Sequence, residues 1–169
     1  MQIRQAEKTD LTDLQALASS SFIATYAAHN PPHVIEPYVK AAFSAEQIFT
    51  ELSHSRNSFW VAVKEKKIMG YLKLREGDLP TCIKGKNSLE VERIYADPTC
   101  KRQGIGSALM ATAKAQAKEK GYDSIWLGVW QKNLDSVAFY KAQGFEIAGE
   151  KTFMMDDDPQ VDHVMIKPV

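Results

Sequence analysis

The chain has 169 residues, 44% of them hydrophobic and 25% charged. That size and composition belong to one globular domain, expected to span 1–169, with enough material for a real core, and they exclude collagen-like, coiled-coil and disordered chains. Twenty-one Lys plus Arg balance twenty-one Asp plus Glu, so no general field draws in nucleic acid or an anionic membrane, and any anion must be held by a local device.

No stretch approaches the roughly 20 apolar residues of a membrane span, and the amino end, MQIRQAEKTDLTDL, lacks the apolar core of a secretory signal, so a cytoplasmic location is the default expectation. Cys82 and Cys100 stand in unlike contexts, with no CxxC spacing and no histidine at ligand spacing. They are expected to be free thiols, with neither a zinc site nor a disulfide.

Leu11, Leu14, Leu17 and Phe22 share one face of a 3.6-residue period, which predicts an amphipathic helix over about Thr9 to Ala28, with Thr9 or Asp10 as cap. His29-Asn30-Pro31-Pro32 breaks the chain. Two further helices are expected at Val34 to Phe43 and Ala45 to Ser53, the second with Ser44 and Gln47 at capping-box spacing. Phe59 to Val63 and Gly70 to Leu74 then read as a β-hairpin, and Leu89 to Tyr95 as the next strand after a flexible connection over Glu76 to Asn87. Gly106 to Lys120 is an Ala-rich helix stopped by Gly121, Ser124 to Trp130 a strand, and Asn133 to Gln143 a helix stopped by Gly144. Two last strands, Phe145 to Met155 and Val161 to Ile166, are joined by the turn Asp156-Asp157-Asp158-Pro159.

The segment Ile94-Tyr95-Ala96-Asp97-Pro98-Thr99-Cys100-Lys101-Arg102-Gln103-Gly104-Ile105-Gly106-Ser107 runs from a strand through a basic, glycine-bearing loop into a helix. Glycines let a backbone approach a ligand closely, and the free amides and positive dipole end of a helix start bind anions, so this segment suits a phosphate. A GxG before a helix is also common in plain turns. His29 and His33 are separated by Pro31 and Pro32, which exclude the helix that would align their rings, so no metal is expected. Trp60, Trp126 and Trp130 are most simply core or pocket-wall residues.

The strand ending Ile-Tyr-x-Asp-Pro, the loop closing in Gly104-Ile105-Gly106, and Asn133 followed by Ala138-Phe139-Tyr140-x-x-x-Gly144-Phe145 together resemble the GCN5-related N-acetyltransferase (GNAT) superfamily. Within it, Leu89 to Tyr95, Ile125 to Trp130 and Tyr38-x-x-x-Ala42-Phe43 are similar to segments of bacterial PaiA-type polyamine acetyltransferases. One departure is Lys101, where the family carries Gln or Arg; the charge stays, but a planar multi-donor group is lost.

The resemblance implies an α/β (α+β) fold: a central, mixed, mostly antiparallel sheet splayed between its fourth and fifth strands and flanked by helices. It implies acetyl-CoA as co-substrate, with no metal. The loop Lys101, Arg102, Gln103, Gly104, Ile105, Gly106 and Ser107 would hold the pyrophosphate. The backbone of Ile94, Tyr95 and Ala96 would pair with the pantetheine arm, near Asn133, Ser136 and Tyr140.

Glu92 would take the amine proton, with Glu90 in reserve, and Tyr140 would protonate the leaving thiolate. The expected acceptor is a small-molecule primary amine, a polyamine attracted by Glu36, Glu90, Glu92 and Asp156 to Asp158, acetylated by direct transfer in a ternary complex; a homodimer is compatible with this. Two alternatives stay open: acetylation of protein amino termini or lysines, and a non-catalytic acyl-CoA-binding regulatory module on the same scaffold.

Overall fold

The computed structural model describes residues 1–100 and 102–169; Lys101 of the expected pyrophosphate loop lies outside the described residues. Seven strands form one open sheet: β1 (Gln2–Gln5), β2 (Asn57–Lys64), β3 (Lys67–Arg75), β4 (Ser88–Ala96), β5 (Ser124–Trp130), β6 (Glu146–Met155) and β7 (Asp158–Pro168). Their spatial order is β1-β2-β3-β4-β5-β7-β6. Among the described residues only β4 and β5 pair in parallel, because the helix α4 (Ile105–Glu119) carries the chain back between them.

Helices α1 (Leu11–Tyr26), α2 (Pro32–Ala42) and α3 (Ala45–Ser53) cover one face, burying Leu14, Phe22, Ile35, Phe43 and Ile48 against Phe59, Val61 and Tyr71. On the other face, α4 and α5 (Leu134–Ala142) bury Ile105, Leu109, Met110, Ala113 and Val137 against Leu72, Leu74, Leu89, Val91, Ile125 and Leu127. A sheet covered on both faces explains the nearly continuous apolar run of β5. Among the described residues, no helix is long and apolar enough to cross a membrane.

Several local expectations change. The amino-terminal strand β1 was not expected; it is an edge strand, paired antiparallel to β2. Asp10 occupies the N-cap position of α1, but its carboxylate is taken by Arg4 at 2.7 and 2.8 Å and by the Glu7 amide at 2.8 Å, so it makes no side-chain cap. Ser44 does cap α3, accepting from the Gln47 amide at 3.1 Å. The β6–β7 hairpin turns on Asp156 and Asp157 alone, with Met155 opposite Asp158, so Pro159 lies inside β7 rather than in the turn. The connection over 76–87 holds a short 3-10 turn, Thr81–Ile83. Its Ile83 packs on Trp126 and Val164, which ties this segment to the sheet.

Gly70 allows α4 to sit close to β3: a Cβ there would stand 2.6 Å from Ile105 Cγ2 and 2.8 Å from the Tyr95 carbonyl oxygen. Since the backbone cannot yield as a flexible side chain would, Gly70→Ala is expected to destabilise the fold by about 1–3 kcal/mol. Urea denaturation of the two proteins measures it.

Candidate active site

The sheet opens between β4 and β5. The two strands pair only where Ser88, Leu89 and Glu90 meet Ser124, Ile125 and Trp126, and past that point they diverge. A β-bulge bends β4 at this place: Lys73 pairs with Arg93 and Leu74 with Val91, which leaves Glu92 as the extra residue. The bulge also shifts the alternation. Leu89 and Val91 face the α4 core, and after the bulge so do Ile94 and Ala96, while Tyr95 turns toward α1 to α3. The backbone of Ile94 to Ala96 is therefore paired to β3 on one side and has no strand beside it on the other.

At the end of β4 the Asp97 carboxylate accepts from the Thr99 amide at 2.9 Å and the Thr99 hydroxyl at 2.6 Å, turning the chain toward α4. Arg102 and Gly104 have φ of +61° and +76°, and the Ala108 amide bonds the Gly104 carbonyl. The amides of Ile105, Gly106 and Ser107 precede that bond and have no helical acceptor. A Cβ on Gly104 would have nothing within 4 Å, so the approach to these amides is open, and the loop fits a pyrophosphate. Gly106 has a second reason to lack a side chain: its Cβ would stand 3.3 Å from Phe139 Cζ of α5.

On the α1–α3 face of the opening lies a buried ion cluster. Arg93 donates to Glu51 at 2.7 and 3.1 Å and lies over the Phe43 ring. Lys73, only 3% exposed, reaches Glu51 at 3.0 Å and Glu92 at 2.9 Å. Arg75 holds Glu90 at 2.7 Å and stands 3.4 Å from Glu92. Burial pushes the Glu51 carboxyl up, but Arg93 and Lys73 outweigh it and hold the group below its ordinary value. For Glu90 burial wins over Arg75, and its carboxyl is raised.

Glu51, Glu90 and Glu92 are thus matched by Lys73, Arg75 and Arg93, and the cluster is neutral within itself. Glu92 does line the cleft, but its Oε1 is bonded to Lys73 and also faces Arg93 at 3.6 Å. Glu36 is exposed on α2, and Asp156 and Asp157 are exposed at the β6–β7 tip. The carboxylates expected to gather around a polyamine therefore do not converge.

The cleft itself, about 220 Å³, is walled by Phe22, Tyr26, Tyr38, Phe43 and Phe153, with Arg75, Glu90, Glu92, Arg93, Tyr95, Gly128, Lys151 and Asp162 completing it. The aromatic wall is packed: Phe22 stacks on Tyr26 and Tyr38 at 4.3 and 4.8 Å between centroids, and Tyr26 lies 4.8 Å from Trp130. Next to it, a cavity of about 570 Å³ is lined by His29, Asn30, Trp130, Asp158 and Gln160 among others.

Tyr140 enters from α5, packed on Phe139 and Phe145. Burial raises its phenol well above the ordinary value and Tyr95 raises it further, so it remains a proton donor. Burial raises the Tyr26 phenol well above its ordinary value, and Tyr95, Asp162, Tyr38 and Tyr140 raise it further. Asn133 caps α5, accepting from the Ser136 amide at 3.2 Å.

Sequence reasoning missed the aromatic wall and Asp162. The first had a signal, since Phe22 and Tyr26 stand one helical turn apart. The second had one too: Asp162 shares a strand face with the apolar Val164 and Ile166.

The model of the Acetyltransferase (GNAT) family matches residues 14–145. An uncharacterized N-acetyltransferase of Mycobacterium bovis is 31% identical over 160 residues, covering 94% of this chain and 97% of that protein. A spermidine N(1)-acetyltransferase of Thermoplasma acidophilum is 26% identical over 151 residues, covering 87% and 89%. The crystal structure of the PaiA N-acetyltransferase from Thermoplasma acidophilum in complex with coenzyme A superposes with a TM-score of 0.83 at 25% identity, covering 99% of this chain and 98% of that one. With a parallel β4–β5 pair that opens at a bulge, an anion-ready loop into α4 and a family match over most of its length, this chain belongs to the GNAT acetyltransferases.

Proposed function

We propose that this N-acetyltransferase uses acetyl-CoA to acetylate a primary amine of a small molecule, a polyamine of the spermidine type, by direct transfer at the β4–β5 opening. Bound acetyl-CoA supplies an activated acetyl group as a thioester. The amides of the loop from Arg102 to Ser107, with the charge of Arg102, hold the pyrophosphate, and the unpaired backbone of Ile94 to Ala96 receives the pantetheine arm as an added strand. Asn133 and Ser136 orient that arm from the start of α5. Tyr140, kept protonated by burial, gives a proton to the departing sulfur as the carbon–sulfur bond breaks.

The observation that carries the acceptor assignment is the aromatic-walled cleft on the α1–α3 face, whose internal ion cluster leaves one carboxylate, Asp162, without an ion-pair partner among the described residues. Aromatic faces attract an ammonium group by about 0.5–2 kcal/mol each. A second carboxylate supports a polyamine. Asp158 lies four residues before Asp162 on the same face of β7 and lines the neighbouring cavity; at about 3.3 Å per residue the two stand roughly 13 Å apart, a span suited to a chain with an ammonium group at each end. The likeness to a spermidine acetyltransferase supports the same choice.

The test is a thiol-release assay across spermidine, spermine, short monoamines, a lysine peptide and a peptide with a free amino terminus. Spermidine or spermine should show the highest kcat/KM, and their turnover should weaken with salt. Asp158→Asn should raise KM for spermidine by about tenfold more than for a monoamine, as one surface-side charge contact is lost. Preference for the peptide amino terminus over every polyamine would contradict the acceptor assignment.

A further inference from the structure

Asp162 is the carboxylate that the ion cluster does not account for. It lies on β7 between Trp130 of β5 and Lys151 of β6, is 6% exposed, and its Oδ1 has no hydrogen-bond partner. Its Oδ2 leans over Gly128, 3.0 Å from where a Cβ would stand, so the missing side chain of Gly128 makes room for the carboxylate at the edge of the opening. Lys151, across the strands on β6, shares the space over Gly128, its Nζ also 3.0 Å from that Cβ position, but it lies over the Trp126 ring and makes no ion pair with Asp162. A buried acid without partners costs stability, and such groups persist where chemistry needs them.

We propose that Asp162, rather than Glu92, takes the proton from the acceptor ammonium and so serves as the catalytic base; this rests on the acetyl-transfer function proposed above. The two acids face the same cleft, and each has one buried carboxylate oxygen with no hydrogen-bond partner among the described residues. But Glu92 is bonded to Lys73 through Oε1, which also faces Arg93 at 3.6 Å, and its Oε2 stands 3.4 Å from Arg75, whereas Asp162 makes no ion pair among the described residues and is the freer of the two to bond a nitrogen. In the balanced step, Asp162 removes one proton from the ammonium and passes it to water, freeing the nitrogen lone pair. The bond from nitrogen to the acetyl carbon forms as the carbon–sulfur bond breaks, with its electron pair kept by sulfur. Sulfur takes the Tyr140 proton, and the proton that nitrogen sheds on becoming an amide restores the phenol.

The surroundings fit this task. Tyr26 of α1, Tyr38 of α2 and Tyr95 of β4 face Asp162, all kept protonated by burial, and Lys151 faces it from β6. Arg75, Glu90, Glu92 and Arg93 complete the charged lining of the cleft. Burial pushes the Asp162 carboxyl up to about 6 against the pull of Lys151, so the group is ionised at neutral pH yet basic enough to accept a proton there.

The test uses Asp162→Asn, which keeps the shape, beside Glu92→Gln. Without acetyl-CoA, thermal midpoints are followed from pH 5 to 8. A carboxyl raised above its unfolded value of 3.8 gives stability that is complete below that value and lost as pH rises through about 6. The asparagine variant lacks that loss, so its midpoint should rise relative to wild type as pH climbs. In turnover, Asp162→Asn should lower kcat/KM for spermidine by about 10²–10⁴ and remove the acidic limb centred near the Asp162 value, with acetyl-CoA affinity unchanged. An acidic limb that persists in Asp162→Asn and disappears in Glu92→Gln would overturn the assignment, as would wild-type rates in Asp162→Asn. A wild-type protein that acetylates no amine would overturn the transfer function and this assignment together.

Discussion

Gly104→Glu is expected to raise the dissociation constant for acetyl-CoA by about 100-fold or more while the protein stays folded. Gly104 caps α4 with a left-handed φ of +76°, and its Cβ position is open to solvent, so a glutamate there meets no packed atom. It does place a negative charge at the positive end of the helix, beside the amides that receive the pyrophosphate. Like charges about 4 Å apart repel by about 1–4 kcal/mol between bulk water and a protein surface, and two phosphates feel that charge. The left-handed conformation costs a further 1–2 kcal/mol or so of stability, small enough for a folded variant. Titration calorimetry with acetyl-CoA, checked by circular dichroism, reads both quantities. Unchanged affinity in the folded variant would move the pyrophosphate away from this loop.

Arg93→Ala is expected to cost about 3–5 kcal/mol of stability, the largest effect of any single substitution proposed for this chain, because it leaves Glu51 buried without its bidentate partner. The sign with pH identifies the cause. In the wild-type protein the Glu51 carboxyl is held below its ordinary 4.5, so its contribution is present above that value and lost as pH falls through the folded one. Without Arg93 the desolvation that now loses to the cations gains weight, and the variant should be penalised most where Glu51 is ionised. The stability gap between the two proteins should therefore narrow as pH drops below about 4.5. Urea denaturation at pH 7 and at pH 4 measures this. A gap that does not depend on pH would assign the loss to the packing of Arg93 on Phe43 instead.

The strand-loop-helix from Ile94 to Ser107 was legible because its chemistry is local: a strand, a glycine with positive φ and a helix start are all written in consecutive residues. The Ser44 cap was legible for the same reason. The β4 bulge leaves a trace as well, since the apolar phase slips from Leu89 and Val91 to Ile94 and Ala96. Strand β1 was not, because Gln2-Ile3-Arg4-Gln5 has one apolar residue and is held by pairing with β2 rather than by its own pattern. The turn Glu65-Lys66 has φ of +52° and +66° at residues that rarely accept it, so only the flanking strands pointed to that hairpin.

The acceptor side was the least legible part. It brings together α1, α2, β4, β6 and β7, which meet only in the folded chain, and local pattern cannot say which carboxylates face one another. Glu90 and Glu92 are near the cleft as expected, yet Lys73, Arg75 and Arg93 neutralise them. Among the described carboxylates that line the cleft, Asp162 is the one without an ion-pair partner, and it comes from the strand expected at Val161 to Ile166, where no site residue was expected.

The most direct measurement is a single turnover: protein preloaded with acetyl-CoA is mixed with spermidine, quenched, and both protein and small molecules are weighed by mass spectrometry. Direct transfer at the β4–β5 opening predicts one acetylated spermidine for each free CoA formed, with the protein mass unchanged at every time point. Acetyl-CoA that stays bound and intact in the presence of spermidine, spermine and the other amines, or acetyl groups that appear first on the protein, would contradict it.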